Sequence, residues 1–180
     1  MFARIASLGV SGLEGFPVTV EADLAAGLPQ FTIVGLPDSA VKESAERVRS
    51  AMKNTGFDFP VKRITINLAP ADQKKTGPVY DLPVLLSLLS AEGLVPTPGA
   101  DCAFLGELGL DGTVRPVNGV LSMALSAGRQ GVRTLYVPAE NAAEAAVAEE
   151  LQVYGVPDVL ALVRHLRGET ALPVTAAQPY

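Results

Sequence analysis

Val18, Val20 and Ala22 alternate with Thr19, Glu21 and Asp23, the period of two that a half-buried strand requires. Similar patterns predict strands over 3–12, 16–25 and 30–34, with Glu14-Gly15 as the first turn and Gly35-Leu36-Pro37 as the last stop. The period then lengthens. Val41, Ala45, Val48 and Met52 recur at spacings of four, three and four, which predicts a helix capped by Asp38 or Ser39 and running to residue 54. Lys42, Glu43, Glu46, Arg47, Arg49 and Lys53 cover its other sides, with Glu43 and Arg47 at a favourable i,i+4 spacing. This charged face reads as solvated, with a subunit or nucleic-acid contact as the sharper alternative. Gly56 suits the helix exit.

Period two returns over 63–69, where Ile64, Ile66 and Leu68 point one way and Thr65 and Asn67 the other. A Gly77-Pro78 loop then feeds an apolar helix over 81–91. A strand over 104–110 is expected to return through a two-residue Asp111-Gly112 hairpin into 113–117. Helices over 119–129, 141–149 and 158–166 alternate with strands over 134–137 and 152–154. Strands first, then helices alternating with strands, indicate an α+β fold, an α/β layering with helices packed on a mixed sheet. From Gly168 to Tyr180 no apolar period remains, so 1–167 reads as the domain and 168–180 as a linker to something further.

Composition narrows the classes. Of 180 residues, 48% are hydrophobic and 18% charged, with a mean hydropathy of +0.30, rich enough for a large core or a surface meeting another subunit. No apolar run approaches the roughly 18 residues of a membrane helix, and Met1 to Ser7 lacks the pattern of a signal peptide. A cytoplasmic protein is expected, with no membrane partner. Cys102 stands alone and reads as a small core residue; with a single His165, placed in the last turn of a helix for a dipole contact, no metal framework is expected. A net charge of −5 opposes nucleic-acid binding by this segment alone, leaving a local basic patch in a larger assembly.

Four blocks carry a resemblance: Phe31 to Asp38, Ile66 to Asp72, Gly77 to Pro83, and Gly106 to Gly112. Together they resemble the N-terminal domain of ComM/YifB-type magnesium-chelatase-like AAA+ ATPases, over nearly the whole chain up to Gly168. That domain is similar in fold to the proteolytic domain of Lon and to the second domain of ribosomal protein S-five. A Lon-type site needs a serine after Gly-Pro and a lysine to take its proton. The matching positions here are Val79 and Leu121, both hydrocarbon. Asp81, at the expected N-cap, is placed to occupy the oxyanion donors and repel an oxyanion. The resemblance therefore implies a non-catalytic domain with no cofactor of its own. It would bind its own ATPase domain, neighbouring subunits of a hexameric ring, or the ring's substrate. ATP and magnesium belong to the full-length protein, and DNA in branch migration during transformation or recombination is the implied substrate.

Other residues compete for roles. Ser122 adjoins Leu121, but neighbouring helix positions project about 100° apart, so it reads as a surface serine. Ser39, Ser44 and Ser50 have no histidine near them in sequence. Lys74, Lys75 and Arg115 are the candidate binding residues, with Lys62-Arg63 as a further basic pair, although solvated loop lysines are the plainer reading. No phosphate loop of the Gly-x-x-x-x-Gly-Lys-Ser/Thr type occurs. A Lon-type peptidase with a rearranged site, a metal-insertion subunit and a direct DNA-binding module remain the alternatives.

Overall fold

The computed structural model describes residues 1–177. Strand β1 (Phe2–Ser11) and strand β2 (Glu14–Ala25) form an antiparallel hairpin in register from Phe2↔Asp23 to Ser11↔Glu14. The turn is Gly12-Leu13, with Gly12 at φ +62°, and not the expected Glu14-Gly15. Gly15 belongs to the strand for a packing reason: a Cβ there would meet Ser126 at 3.0 Å. Strand β3 (Gln30–Val34) lies parallel to strand β4 (Arg63–Ala69), which pairs antiparallel with β2.

The helix expected over 38–54 is broken at Glu43 into α1 (Ser39–Lys42) and α2 (Ser44–Asn54). Asp38 caps α1, accepting the Val41 N–H at 2.8 Å. The buried stripe runs through Val41, Ser44, Val48, Ala51 and Met52; Ala45 is only half-buried. Helix α3 (Asp81–Ala91) is buried on all sides from Asp81 to Ser90, as expected of a helix with no polar face. It packs on β1, β2 and α2. Its internal polar groups are satisfied locally: the Ser87 hydroxyl donates to Val84 O at 2.6 Å, and Ser90 Oγ bonds Thr97 Oγ1 at 2.6 Å.

The strand expected over 104–110 is split. Strand β5 (Cys102–Phe104) joins the main sheet, while β6 (Glu107–Leu108) pairs with β7 (Val114–Arg115) in a separate ribbon. Five residues connect them instead of two. Gly109 N–H donates to Thr113 O at 2.9 Å, and Asp111 accepts from the Thr113 N–H and hydroxyl. Helix α4 (Val120–Ala127), β8 (Thr134–Pro138), a short α5 (Ala142–Ala145), β9 (Gln152–Val156) and α6 (Val159–Leu166) follow. Cys102 is half-buried against the core.

Residues 168–180 were expected to be a linker, but Val174–Thr175 forms strand β10, antiparallel to β9. The folded unit therefore extends past residue 167; residues 178–180 lie outside the described residues. Among the described residues the main sheet has eight strands in the order β10-β9-β8-β5-β1-β2-β4-β3, a mixed α/β architecture as expected. No helix among them is long and apolar enough to cross a membrane.

His165 holds this extension. Its Nδ1 accepts the Leu172 N–H at 2.9 Å, so the ring proton sits on Nε2 and faces the Tyr136 hydroxyl at 3.0 Å. A neutral ring wedged beside Tyr136 and Tyr154 replaces the expected cationic dipole contact. Burial lowers the His165 pKa below its ordinary 6.5. The unfolded chain thus takes the proton more readily than the folded one, and stability rises with pH through that window. The contribution is complete above about pH 6.5 and is lost as pH falls below it. Hydrogen exchange at the Leu172 amide and at the β10 amide that bonds β9, corrected for intrinsic rate, is expected to accelerate between about pH 7.5 and about pH 5 while the α3 amides stay protected. Equal protection of β10 at both pH values would contradict this.

Candidate functional site

The Gly-Pro loop is tied down before it reaches α3. Lys75 is the reason. Its backbone pairs with the segment after β3, donating to Leu36 O and accepting from Asp38 N, both at 3.0 Å. Its side chain is fully buried, with Nζ donating to Gly35 O at 2.8 Å and to Pro70 O. Desolvation pulls its pKa down, opposed by the nearby Asp72. Lys75 is therefore an internal staple and not a solvated loop lysine, because three neighbouring backbone segments meet where it lies. Gly35 permits this closeness: at φ +105°, a Cβ there would sit 2.2 Å from Leu68 O.

Asp38 adds a second tie. Besides capping α1, its Oδ2 accepts the Gly77 N–H at 3.1 Å. Gly77 has φ +80°, and Pro78–Tyr80 makes one 3-10 turn into α3. Val79 lies in this turn, 7% exposed, and its carbonyl accepts the Gly106 N–H at 2.9 Å. Tyr80 is buried behind it, and burial raises its hydroxyl pKa well above the usual range, with Asp38 adding to the effect.

Asp81 does not act as expected. It is the first residue of α3 and not its N-cap, and its side chain is 0% exposed. The carboxylate accepts from Arg47 Nε at 2.5 Å and Nη2 at 3.1 Å, and from the Leu108 N–H at 3.0 Å. It turns toward α2 and β6, away from the loop donors. Asp38, not Asp81, occupies the Gly77 N–H. Arg47 also donates to Ala40 O at 2.8 Å, and its bond to Asp81 raises its pKa despite desolvation. The expected Glu43 partner is a more exposed contact at 3.5 Å.

Above the loop opens a cleft of about 620 Å³. The Gly-Pro turn with Val79 forms one wall, Ser122 and Met123 of α4 another, and Val10, Gly12 and Leu13 the end of the β1–β2 hairpin. Thr76 and Ser122 supply hydroxyls, Asn118 an amide and Glu107 a carboxylate; no lysine, arginine or histidine lines it. Val79 and Ser122 are thus brought together. Leu121 is not: it is 40% exposed and outside the lining, because Val120 is buried and the next helix position turns outward. Ser122, expected on the helix surface, faces the cleft for the same reason. Lys74 and Arg115 are exposed and do not line it, although Arg115 is the cross-strand partner of Glu107, which does.

Arg47, Glu107 and the second role of Asp38 escaped the sequence reading. One signal was available: a lone aspartate opening the apolar run Leu82-Pro83-Val84-Leu85-Leu86 must be buried, and a buried carboxylate requires a cation. Among the described residues no three His, Cys, Asp or Glu side chains converge to hold a metal ion.

Comparison with known proteins shows which family the chain resembles. The family profile of subunit ChlI of Mg-chelatase matches residues 20–141. An uncharacterised protein of Mycobacterium tuberculosis is 44% identical over 170 residues, 94% of this chain and 34% of its own length. Competence protein ComM of Haemophilus influenzae is 39% identical over 173 residues, 96% of this chain and 34% of its own. A Lon protease of Mycolicibacterium smegmatis is 30% identical over 167 residues, 87% of this chain and 21% of its own, which fits a Lon-like fold. The chain spans about a third of the length of the first two relatives.

Two outcomes follow from the buried charges. Arg47→Met strands the Asp81 carboxylate and is expected to cost about 3–5 kcal/mol in urea unfolding, with the Arg47→Met/Asp81→Asn double variant recovering part of the loss. In acetic anhydride labelling read by mass spectrometry, Lys74 is expected to modify readily and Lys75 only after unfolding; equal rates would remove the staple.

Proposed function

The chain belongs to the family of ChlI, the Mg-chelatase subunit, and we propose that it serves as a non-catalytic, Lon-like binding module within a larger magnesium-chelatase-like AAA+ protein. One observation carries this reading. In the loop where a Lon-type enzyme places its nucleophile, this chain has Val79, and the adjoining Gly77 N–H is already held by Asp38. A hydrocarbon cannot attack a carbonyl, and a donor bonded to a carboxylate is not free for a developing oxyanion. The cleft itself is kept, so its surface remains for binding.

In this reading the domain contacts its own ATPase part, neighbouring subunits of a ring, or the ring's substrate, in the cytoplasm. ATP and magnesium serve the ATPase part; no residue here is assigned to them. The competence name of the Haemophilus relative supports DNA as the substrate of the assembly, in transformation or recombination. The burial of Lys75 withdraws it from any DNA contact and leaves Lys74 and Arg115 as the exposed candidates.

Ser122 supports a second reading, a Lon-type peptidase with a rearranged site, because its side chain borders the same cleft as Val79. A fluorogenic casein assay separates the two. The purified chain is expected to show no turnover above buffer, and Ser122→Ala to behave identically. Turnover that survives purification and disappears in Ser122→Ala would overturn the non-catalytic reading.

A further inference from the structure

One edge of the main sheet carries a second surface, which shares no lining residue with the cleft over Val79. β3 is the last strand in the sheet order and pairs with β4 alone. The Gln30 N–H bonds Lys62 O at 3.3 Å, so in the parallel ladder Gln30, Thr32 and Val34 turn their backbone groups toward β4. Phe31 and Ile33 turn theirs outward, and among the described residues no other segment bonds them. Exposed edges are normally blunted by a charge, a bulge or a proline within the strand. From Gln30 to Val34 this one has none of them.

The two ends of this edge differ. At the Gln30 end, a hollow of about 290 Å³ is walled by Pro29, Phe59, Val61 and the cations Arg49, Lys53 and Lys62. Phe59 stacks on Phe31 with 5.7 Å between ring centroids, and the Arg49 guanidinium lies over the Phe59 ring at 5.0 Å. No carboxylate lines the hollow. Of those nearby, Glu46 holds Arg49 at 2.9 Å, and Glu92 stands in the field of both Lys62 and Asp58. Lys53, exposed on α2, makes no ion pair among the described residues. At the other end, Val34 and Leu36 are 42% and 52% exposed. Leu36 has φ +56°, a left-handed backbone that a bulky residue adopts only under constraint. Lys75 supplies that constraint, donating its N–H to Leu36 O at 3.0 Å. The fold thus holds a leucine in a costly conformation and leaves half its side chain in water. Strain without burial points to a contact outside the domain.

We propose that the β3 edge takes an extended acidic segment of another protein as a ninth strand, with carboxylates at Lys53 and Lys62 and an apolar side chain on Val34 and Leu36. Two observations together select this occupant. The open backbone row calls for a strand, which a nucleic acid does not supply, and the cationic hollow favours an acidic strand over a basic one. A second copy paired edge to edge answers less well, because Gln30 to Val34 hold no carboxylate to meet Lys53. This surface is separate from the cleft, so the inference stands whether or not the cleft cuts peptides.

The test uses the whole chain and a fluorescein-labelled nonapeptide, Gly-Asp-Glu-Val-Thr-Val-Thr-Gly-Ser, titrated by fluorescence polarisation. Saturable binding is expected, weakened on the order of tenfold by Lys53→Glu and at least as much when lysines replace both acidic residues of the peptide. Leu36→Gly keeps the left-handed turn without strain, and is expected to fold and to bind more weakly. Strand addition has its own signature, which needs no protein variant. N-methylation of both valines or of both threonines blocks one row of peptide amides, and only the row facing β3 is expected to matter. Absence of saturable binding, equal affinity of Lys53→Glu and the unaltered chain, or equal loss from both methylated peptides overturns the proposal. Displacement of the peptide by a twelve-base oligothymidylate would assign the hollow to nucleic acid. A dimer in sedimentation velocity that the peptide dissociates would assign the edge to a second copy. Either result overturns the proposal as well.

Discussion

A single buried carboxylate positions the candidate site. Asp81 opens α3 with its side chain fully buried, and its lone pairs are taken by Arg47 from α2 and by the Leu108 N–H from β6. Three elements distant in sequence are thereby fixed to one point. A carboxylate at the first turn of a helix is favoured by the helix dipole, and here it also anchors the ribbon that carries Glu107. Hydrophobic burial of α3 supplies the bulk of the packing, but it is nondirectional. The ion pair adds orientation: it sets how α3 is rotated, and therefore which way Val79 and the Gly-Pro turn face.

The same division explains what the sequence disclosed. Regular alternation in β2 and β4, the apolar run of α3 and the Gly-Pro junction are local patterns, and each was legible. The family resemblance followed from blocks of contiguous residues. Contacts that join distant segments leave no period. Arg47 read as a surface charge because its neighbours in sequence are charged, whereas its partner lies 34 residues away. Lys75 read as solvated because it sits in a loop, although that loop is pinned under the segment leaving β3. The final strand was missed because Val174 and Thr175 form too short a pair to show alternation; their place is set by β9 and by His165.

Backbone geometry shapes the cleft. Gly77, Pro78, Gly106 and Gly119 keep the backbone of the turn and its opposite wall in place. Val79 puts a nonpolar, nearly buried side chain in that turn. The Gly77 N–H beside it is bound internally by Asp38.

The position of β1 has a consequence for how this domain is born. It sits in the middle of the sheet, yet the segment that closes its far side is 97 residues further along the chain, where Ser7 donates its hydroxyl to Phe104 O. While a ribosome is making the intervening stretch, β1 lacks its parallel neighbour, although β4 can already pair with β2 on the other side. Such a topology acquires its defining contacts late and all together. The nascent chain therefore has to be kept from sticking to others until β5 emerges, and the interval is set by translation speed rather than by the intrinsic rate of collapse.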